Sequence, residues 1–288
     1  MELLARDRRI QFPRRPLIMG IVNINDDSFC SDGRIDHEWA LKKARELVGQ
    51  GADIIDVGAE SARTNRSAIG PEEELRRLRP FLERFDAAWK DATPRDAEQV
   101  FPPLLSINTW RPEVAASALE SGGHLLNDLS ALQDDRNARI CAQAGAALLI
   151  IHSVGSPKIP HTHVFYQDAI EEMLHFFRDR ISAAERSGVP RDAIILDPGI
   201  DFAKQVADNL RIYRELEKLH EFGRPILLPV SRKSVIGRVL GIPDPLDRDP
   251  ATAACIVAGI LRGASIFRVH NVEMAWRVIV CIHRLRGT

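Results

Sequence analysis

Short apolar runs recur along the chain, and most are followed by a stretch with apolar residues at helical spacing. Runs this short and this uniformly apolar are typical of parallel strands that are covered on both faces. The pattern predicts eight strands, over residues 17–22, 52–57, 104–107, 124–126, 146–151, 193–196, 225–230 and 265–267.

Amphipathic helices are predicted between these strands. In the first, over residues 36–50, Ala40, Leu41, Ala44 and Leu47 form one stripe, and Gly51 is placed to stop the helix. The stretch 238–249 contains Pro, Gly and Asp and is predicted as a loop. The remaining helices are predicted over residues 71–89, 112–121, 135–144, 167–187, 207–220, 250–262 and 272–285.

Eight strand–helix pairs predict an α/β fold, a single (β/α)₈ TIM barrel over residues 17–288, with its ligand site at the C-terminal ends of the strands. An open doubly wound sheet is the alternative. The first strand is not followed by a Gly-x-Gly-x-x-Gly pattern, which argues against the dinucleotide-binding form of that sheet.

Residues 1–16 are rich in arginine and lack the apolar core of a signal peptide. They are predicted to form an N-terminal arm. Its cations, Arg6, Arg8, Arg9, Arg14 and Arg15, are interpreted as solvated.

Composition narrows the classes of function. The formal net charge of the 288 residues is −1, so no general basic field exists for nucleic acid or for a membrane surface. The four cysteines are far apart in the sequence, which argues against a zinc site or a disulfide framework and fits a reducing cytoplasm. No apolar stretch approaches the roughly 20 residues that a membrane span needs.

Polar side chains follow the predicted strands at their C-terminal ends, which share one face in a barrel. One group is cationic and suits a phosphate or diphosphate. Its members are Arg63, Arg232, Lys233 and Arg268, with His270 as a further candidate.

The second group consists of amides and a carboxylate, Asn108, Asn127 and Asp197. Such groups suit a flat heterocycle with N–H donors and ring-nitrogen acceptors. Both groups together fit a ligand with a nitrogen-rich ring at one end and a diphosphate at the other. As alternatives, Asp197 shapes the turn at Pro198-Gly199, and each asparagine caps the helix that follows it.

Several blocks, each weak alone, occur in an order and spacing that resemble the dihydropteroate synthases from about residue 18 to the last helix. The blocks are Met19-Gly-Ile-Val-Asn23, Asp27-Ser-Phe29, Gly51-Ala-Asp-Ile-Ile-Asp-Val-Gly58, Glu60-Ser61 with Arg63, Asn127-Asp128, Leu196-Asp-Pro-Gly199, Ser231-Arg-Lys-Ser234 and Arg268-Val-His270.

The resemblance implies a homodimeric transferase of folate biosynthesis in the cytoplasm. Such an enzyme condenses 6-hydroxymethyl-7,8-dihydropterin diphosphate with 4-aminobenzoate, uses Mg²⁺ and is a sulfonamide target. It has no nucleic-acid or membrane partner. In this family the bond to diphosphate breaks largely before the amine attacks.

The same resemblance assigns roles to individual positions. Catalytic roles go to Asn108, Asp197, Lys233 and Arg268. Pterin binding goes to Asn108, Asn127, Asp197 and Lys233. Diphosphate binding goes to Asn23, Arg63, Arg268 and His270, and Asn23 also holds the metal. The aminobenzoate side is formed by Phe29, Phe202 and Ser231.

The chain departs from the family pattern around the substrates. Asn108 stands where an aspartate is usual, Ala62 replaces a threonine, and Asp26 adds a charge near the expected metal. The loop after the sixth predicted strand reads Gly199-Ile-Asp201-Phe-Ala203-Lys204, where two more glycines are common. The loss of one well-placed electrostatic contact can cost about 2.7–4 kcal/mol at a transition state, so Asn108 is expected to matter most.

Three interpretations therefore compete. The first is a divergent working dihydropteroate synthase. The second is another pterin-using enzyme, such as a relative of the methyltetrahydrofolate methyltransferases, which needs no diphosphate clamp. The third is a non-catalytic pterin-binding protein, which Asn108 and Ala62 favour.

Overall fold

A (β/α)₈ barrel is formed by the residues that the structure, a computed structural model, describes, namely 1–25, 33–61, 67–159 and 164–287. A short hairpin precedes the eight parallel barrel strands. In chain order the strands are β1 Glu2–Ala5, β2 Arg8–Gln11, β3 Leu17–Asn23, β4 Ile54–Gly58, β5 Leu104–Asn108, β6 Leu125–Asp128, β7 Ala147–Ile151, β8 Ile194–Asp197, β9 Leu227–Pro229 and β10 Ile266–Val269.

The barrel strands pair in the ring order β8-β7-β6-β5-β4-β3-β10-β9. The ring closes between β8 and β9 through an isolated parallel bridge that joins Leu196 and Ile226. The amide of Leu196 also donates to the carbonyl of Pro225 at 3.0 Å. The strands are buried along almost their whole length, as their continuous apolar sequences predict.

Helices cover the outside of this ring. Those predicted over residues 71–89 and 207–220 end earlier as α-helices and continue as 3₁₀ turns, Asp86–Trp89 and Leu216–Phe222. None of the helices in the described ranges combines the length and apolar character that a bilayer crossing requires. The helices are α1 His37–Gly49, α2 Pro71–Phe85, α3 Pro112–Glu120, α4 Arg136–Ala144, α5 Ala169–Arg186, α6 Val206–Glu215, α7 Ser234–Leu240, α8 Asp249–Leu261 and α9 Val272–Arg286.

Helix α7 extends into the stretch that was predicted as a loop, so the start of that prediction, 238–240, is wrong. The helix has seven residues, which is too short for a periodic apolar stripe to stand out in the sequence. Its first amides donate to a side chain from another part of the chain, which sequence spacing does not reveal.

The N-terminal segment is not a solvated arm. Strands β1 and β2 pair in antiparallel register, and Leu3, Ala5 and Ile10 are buried. The hairpin lies against the N-terminal ends of the barrel strands, where the amide of Arg6 donates to the carbonyl of Gly145 at 2.8 Å. Alternation of apolar and polar residues over only four positions is too weak to outweigh the arginine content of this segment.

Arg15 is the clearest exception to the predicted solvation, because its side chain is 1% exposed. The guanidinium forms a two-pronged ion pair with Asp53, at 2.9 and 3.1 Å. Asp53 also accepts the amides of Ile18 and Val100, at 2.8 and 2.9 Å. A carboxylate at the start of a buried strand needs such partners, and Arg15 provides one.

Candidate active site

A pocket of about 280 Å³ opens at the C-terminal ends of the barrel strands. Most of the predicted site residues are brought together there. The predicted residues that line it are Asn23, Asn108, Asn127, Asp197, Phe202, Ser231, Lys233, Arg268 and His270. The predictions for Arg63 and Phe29, like the departures at Ala62 and Asp26, lie outside the described residues.

Asp56, within β4, is a buried carboxylate beneath this pocket, and it was not among the predicted site residues. It accepts the hydroxyl of Ser106 at 2.6 Å and the Nε of Arg268 at 2.7 Å. It also accepts the amide nitrogens of Asn108, at 3.3 Å, and of Asn127, at 3.2 Å to each oxygen. The sequence held one signal, an acid inside an apolar run, because such an acid must find buried partners.

Asp56 determines the orientation of the side-chain amides of Asn108 and Asn127. Because both amide nitrogens donate to the carboxylate, the amide oxygens of Asn108 and Asn127 are left to accept from N–H groups of a ligand. The alternative role of these asparagines, as caps of the following helices, is not what the structure shows. Helix α3 has no side-chain cap, and neither has α4.

Asp197 lines the pocket at the end of β8 and is 3% exposed. Its Oδ1 accepts the amide of Gly199 at 2.7 Å, so it shapes the following turn as well as facing the pocket. Burial raises the pKa of the Asp197 carboxyl to about 6, against the opposing influence of Gly199, Lys233, Lys204 and Arg268. At neutral pH the side chain is therefore a carboxylate, although it is held in an environment that disfavours the charge.

Lys233 is anchored at the wall of the pocket. Its ammonium donates to the carbonyl of Ile200 at 2.9 Å and lies 5.3 Å from the centre of the Phe202 ring. Burial lowers the pKa of Lys233 below its ordinary value, while Asp201 and Asp197 oppose that shift. Lys233 therefore lies against Ile200 and Phe202, on the same wall of the pocket.

His270 is oriented by Ser231. The backbone amide of His270 donates to Ser231 Oγ at 3.2 Å, and the same oxygen lies 2.8 Å from His270 Nδ1. While it accepts the amide, the Ser231 hydroxyl can donate its own proton to Nδ1. This arrangement favours the tautomer that carries its proton on Nε2, which suits a histidine that donates to a phosphate oxygen.

Arg232 does not belong to the cationic group, and that prediction is wrong. Its guanidinium forms a two-pronged ion pair with Asp249 on α8, at 2.8 and 3.0 Å, and it is not among the described residues that line the pocket. The backbone at Arg232 has a φ of 57°, and its amide donates to Thr252 at 3.1 Å. The two adjacent side chains point in different directions. Arg232 contacts α8, and Lys233 lines the pocket.

His152 and Asp128 make contacts that stabilise the fold and do not line the pocket. The ring of His152 packs edge-on against Phe176 with centres 4.9 Å apart, and burial lowers its pKa well below the ordinary value. The carboxyl of Asp128 accepts the amide and the hydroxyl of Ser130, at 2.8 Å each. Burial raises the pKa of Asp128 to about 6. Neither residue is among the described residues that line the pocket.

The described residues contain no cluster of three or more His, Cys, Asp or Glu side chains that would hold a metal ion by themselves. Asn23 lines the pocket at the end of β3 and offers an amide oxygen. A single amide ligand fits Mg²⁺, which commonly keeps water and takes substrate phosphate oxygens as its other ligands.

Comparison with known proteins shows the family to which the chain belongs. A family model described as pterin binding enzyme matches residues 19–270. The chain belongs to the pterin-binding enzyme family. Dihydropteroate synthase from Escherichia coli strain K12 is 33% identical over 275 residues, which cover 95% of this chain and 92% of that protein.

Longer relatives in this family carry additional sequence. The mitochondrial folate synthesis bifunctional protein of Arabidopsis thaliana is 36% identical over 280 residues, which cover 93% of this chain. The match covers 49% of that plant protein, so the chain spans about half the length of such curated relatives.

Solved structures of family members have the same fold along the whole chain. A Yersinia pestis dihydropteroate synthase in complex with a sulfonamide drug superimposes with a TM-score of 0.88, at 31% identity and with 100% of both chains covered. A Xanthomonas albilineans enzyme with 4-aminobenzoic acid gives 0.84, at 30% identity and with 100% and 98% covered. A Thermus thermophilus enzyme in complex with 6HMPPP gives 0.81, at 32% identity and with 99% and 100% covered.

Asn108→Asp tests the most prominent departure from the family pattern. We expect the variant to turn over about 3–10 times faster than the wild type at pH 8, because a second carboxylate beside the pterin stabilises positive charge. The new carboxylate lies next to Asp56, 3.3 Å from the present amide nitrogen, so its pKa is raised and the gain fades toward pH 6. Steady-state rates at both pH values measure this. An unchanged or lower rate at pH 8 would show that Asn108 does not limit the reaction.

Proposed function

We propose that the chain is a working dihydropteroate synthase, a transferase that condenses 6-hydroxymethyl-7,8-dihydropterin diphosphate with 4-aminobenzoate and releases diphosphate. One observation carries this proposal. A single pocket places the amides and carboxylates around Asp56 and Asp197 beside the cations Arg268 and Lys233 and the donor His270. This pairing fits a nitrogen-rich ring joined to a diphosphate. The family members solved with 4-aminobenzoic acid and with 6HMPPP support it.

The chemistry makes opposite demands on the two parts of the pocket. The bond between the pterin methylene carbon and the diphosphate oxygen breaks, and both electrons of that bond leave with diphosphate. The amine nitrogen then forms a bond to the same carbon and loses a proton. Positive charge therefore develops on the pterin while negative charge develops on the leaving group, and preorganised charges of the opposite sign lower the barrier.

Two sets of pocket residues meet these two demands, one at the pterin and one at the diphosphate. Asp197 and the amide oxygens of Asn108 and Asn127 bind and orient the pterin ring. Arg268 and His270 hold the leaving diphosphate. The Nε of Arg268 is engaged by Asp56, and within the described residues its terminal amino groups form no further hydrogen bond. One ion pair thus links the pterin part of the site to the diphosphate part.

Magnesium belongs to the diphosphate in this proposal, with Asn23 as its protein ligand. When bound, the ion neutralises charge on the leaving group. Asn23 lies at the end of β3, next to β10, so it is close in the ring to Arg268. The diphosphate is then held from two adjacent strands.

We also propose that the enzyme is a cytoplasmic homodimer. Helix α8 is apolar over most of its surface, and Leu240, Leu246 and Leu261 on and near α7 and α8 are each more than half exposed. A second copy of the chain would cover such leucines. Among the described residues Cys141, Cys255 and Cys281 are free thiols, which fits a reducing compartment. Light scattering on the purified protein measures the mass of the assembly.

The direct test is an assay of the purified protein with pterin diphosphate, 4-aminobenzoate and Mg²⁺. We expect dihydropteroate and diphosphate in equal amounts, loss of product when EDTA is added, and competition between a sulfonamide and 4-aminobenzoate. Calorimetric binding of the pterin without product would instead support a non-catalytic pterin-binding protein. Methyl transfer from methyltetrahydrofolate would support the methyltransferase interpretation.

A further inference from the structure

The turn after β8 encloses a buried ammonium group beside the pocket. Lys204 is 7% exposed and is not among the described residues that line the pocket. Its Nζ donates to the carbonyl oxygens of His152, Gly199 and Phe202, at 3.0 Å each. Three acceptors use all three N–H bonds of an ammonium group, so these surroundings suit the charged form of the side chain.

Two of the residues that accept from Lys204 also hold Asp197. The amide of His152 donates to the carbonyl of Asp197 at 2.8 Å, and the amide of Gly199 donates to Asp197 Oδ1 at 2.7 Å. Lys204 is therefore bonded to one residue that fixes the backbone of Asp197 and to one that fixes its carboxylate. A single ammonium group ties the end of β7 to the turn after β8.

This turn is tight where it meets the ammonium. Gly199 has a φ of 68°, and a Cβ there would lie 2.0 Å from the carbonyl oxygen of His152 and 3.1 Å from Lys204 Nζ. A side chain at this position would push the carbonyl and the ammonium apart. Asp201, which was not among the predicted site residues, and Phe202 belong to the same turn and line the pocket. The contacts of Lys204 therefore set the position of a whole segment of the pocket wall.

The charge of Lys204 also acts on Asp197. Burial raises the pKa of the Asp197 carboxyl to about 6, and the amide of Gly199 and three cations oppose that rise. Burial lowers the pKa of Lys204 to about 7, so the lysine is charged over the pH range in which Asp197 titrates. His152 adds no charge there, because burial and Lys204 lower its pKa well below the ordinary value. The three cations that act on Asp197 are Lys233, Lys204 and Arg268. The charged groups that act on Lys204 are Asp197, Asp208, Lys233 and Asp201.

We propose that Lys204 is a positioning residue for Asp197, whose ammonium holds the turn that presents the carboxylate to the pocket and keeps that carboxylate ionised. Lys204 lies behind the pocket wall, so it acts through Asp197 and does not touch the substrate. The inference rests on the proposed function for its effect on the rate. Its effect on the proton of Asp197 is measurable without turnover.

Lys204→Met is the first test, because methionine keeps the length of the side chain but removes the charge and the three donors. We expect the acid decline of kcat/KM, near pH 6 in the wild type, to move up by about one pH unit. The variant should then lose about five- to tenfold more kcat/KM at pH 5.5 than at pH 8.5. Lys218→Met is the matched control, since Lys218 is 44% exposed and pairs with Glu215 at 2.8 Å. We expect it to keep the wild-type profile.

Carbon-13 NMR of labelled aspartate follows the Asp197 carboxyl directly, with its signal assigned by its absence in Asp197→Asn. We expect the titration midpoint to rise from about 6 to about 7 in Lys204→Met, while Asp128, whose pKa is also about 6, stays in place. A midpoint of Asp197 that changes by less than about 0.3 pH units would overturn the inference, whatever the rates. If the midpoint moves as expected but the wild type forms no product, only the proposed synthase activity is wrong.

Lys204→Ala keeps the inference testable if methionine, by leaving three buried carbonyls unpaired, prevents folding. The shorter side chain leaves room for water or for an added ethylammonium ion beside these carbonyls. We expect the Asp197 midpoint to be raised in this variant and to return toward the wild-type value with ethylammonium. Tetramethylammonium, which has no N–H to donate, should leave it raised. A midpoint equal to that of the wild type with neither ion present would show that Lys204 does not control Asp197.

Discussion

Asp56→Asn should lower kcat/KM by about 10²–10³, because the loss of one well-placed electrostatic contact costs about 2.7–4 kcal/mol at a transition state. The new amide nitrogen would face the amide nitrogens of Asn108 and Asn127, which now donate to the carboxylate. It would also leave Arg268 without the contact at 2.7 Å that orients it. We expect the free energy of unfolding to fall by about 2–3 kcal/mol, less than for a fully buried pair because the Arg268 side chain is 24% exposed.

Ser106→Ala is the control for this prediction. It removes the hydroxyl that donates to Asp56 at 2.6 Å but leaves the charge in place. We expect a loss of about 1 kcal/mol or less in stability and only a small change in rate. If Asp56→Asn were no slower than Ser106→Ala, the carboxylate would be one hydrogen-bond acceptor among others and not the organising charge of the site. Steady-state kinetics and urea denaturation of both variants measure the difference.

Asp197→Asn should have the opposite effect on stability while it also removes activity. We expect kcat/KM to fall by about 10²–10³, since an amide nitrogen replaces an acceptor beside the pterin. We expect the free energy of unfolding at pH 8 to rise by up to about 3 kcal/mol, because a pKa shift of about two units is removed. Urea denaturation at pH 8 and pH 4.5 measures this gain.

The expected rise in the free energy of unfolding of Asp197→Asn follows from proton linkage. The pKa of Asp197 is raised from 3.8 to about 6 in the folded chain, so between these values the folded protein holds a proton that the unfolded chain has released. Stability therefore falls as pH rises through this window, and the deficit persists at higher pH. The gain from Asp197→Asn should accordingly be full at pH 8 and reduced to about a third, roughly 1 kcal/mol, at pH 4.5. A variant equally stabilised at both values would have gained stability for a reason other than charge.

The same carboxyl should limit the rate in acid. We expect the kcat/KM of the wild type to decline below pH about 6 as Asp197 takes up a proton. The pKa of Asp128 is also raised to about 6 by burial, so Asp128→Asn provides the matched control. The acid decline should survive in that variant. If the acid decline in kcat/KM disappeared in Asp128→Asn, the titrating group would be Asp128 and not Asp197.

The barrel was predictable because each strand is covered on both faces and is therefore apolar along most of its length. A continuous apolar run such as 146–151 predicts a buried element and not a surface element. The structure confirms a strand there, Ala147–Ile151. The hairpin and α7 were missed because each has too few residues for a period to emerge, and because their partners lie far away in sequence. The amide of Arg6 meets Gly145, and the start of α7 meets Asp201.

Residues that line the pocket were predictable where they lie at the C-terminal end of a strand, as Asn108, Asn127 and Asp197 do. Their positions at one face of a barrel follow from topology alone. What remained hidden were the contacts between side chains. Arg232 and Lys233 are adjacent in sequence, yet Arg232 pairs with Asp249 while Lys233 faces the pocket. Asp56 lies inside an apolar run, and its importance emerges only when three other strands bring their side chains to it.

The ring closes at a seam between β8 and β9, and this seam lies beside the residues that face the substrate. There the ring is held by the bridge between Leu196 and Ile226 instead of a full ladder. Asp197 ends one of these strands and Lys233 follows the other, and both face the pocket. Under the proposed function, a pterin that contacts both residues would join the two strands across this seam. We therefore expect pterin binding to stabilise the folded barrel, because the ligand would hold together the two strands that share only an isolated bridge.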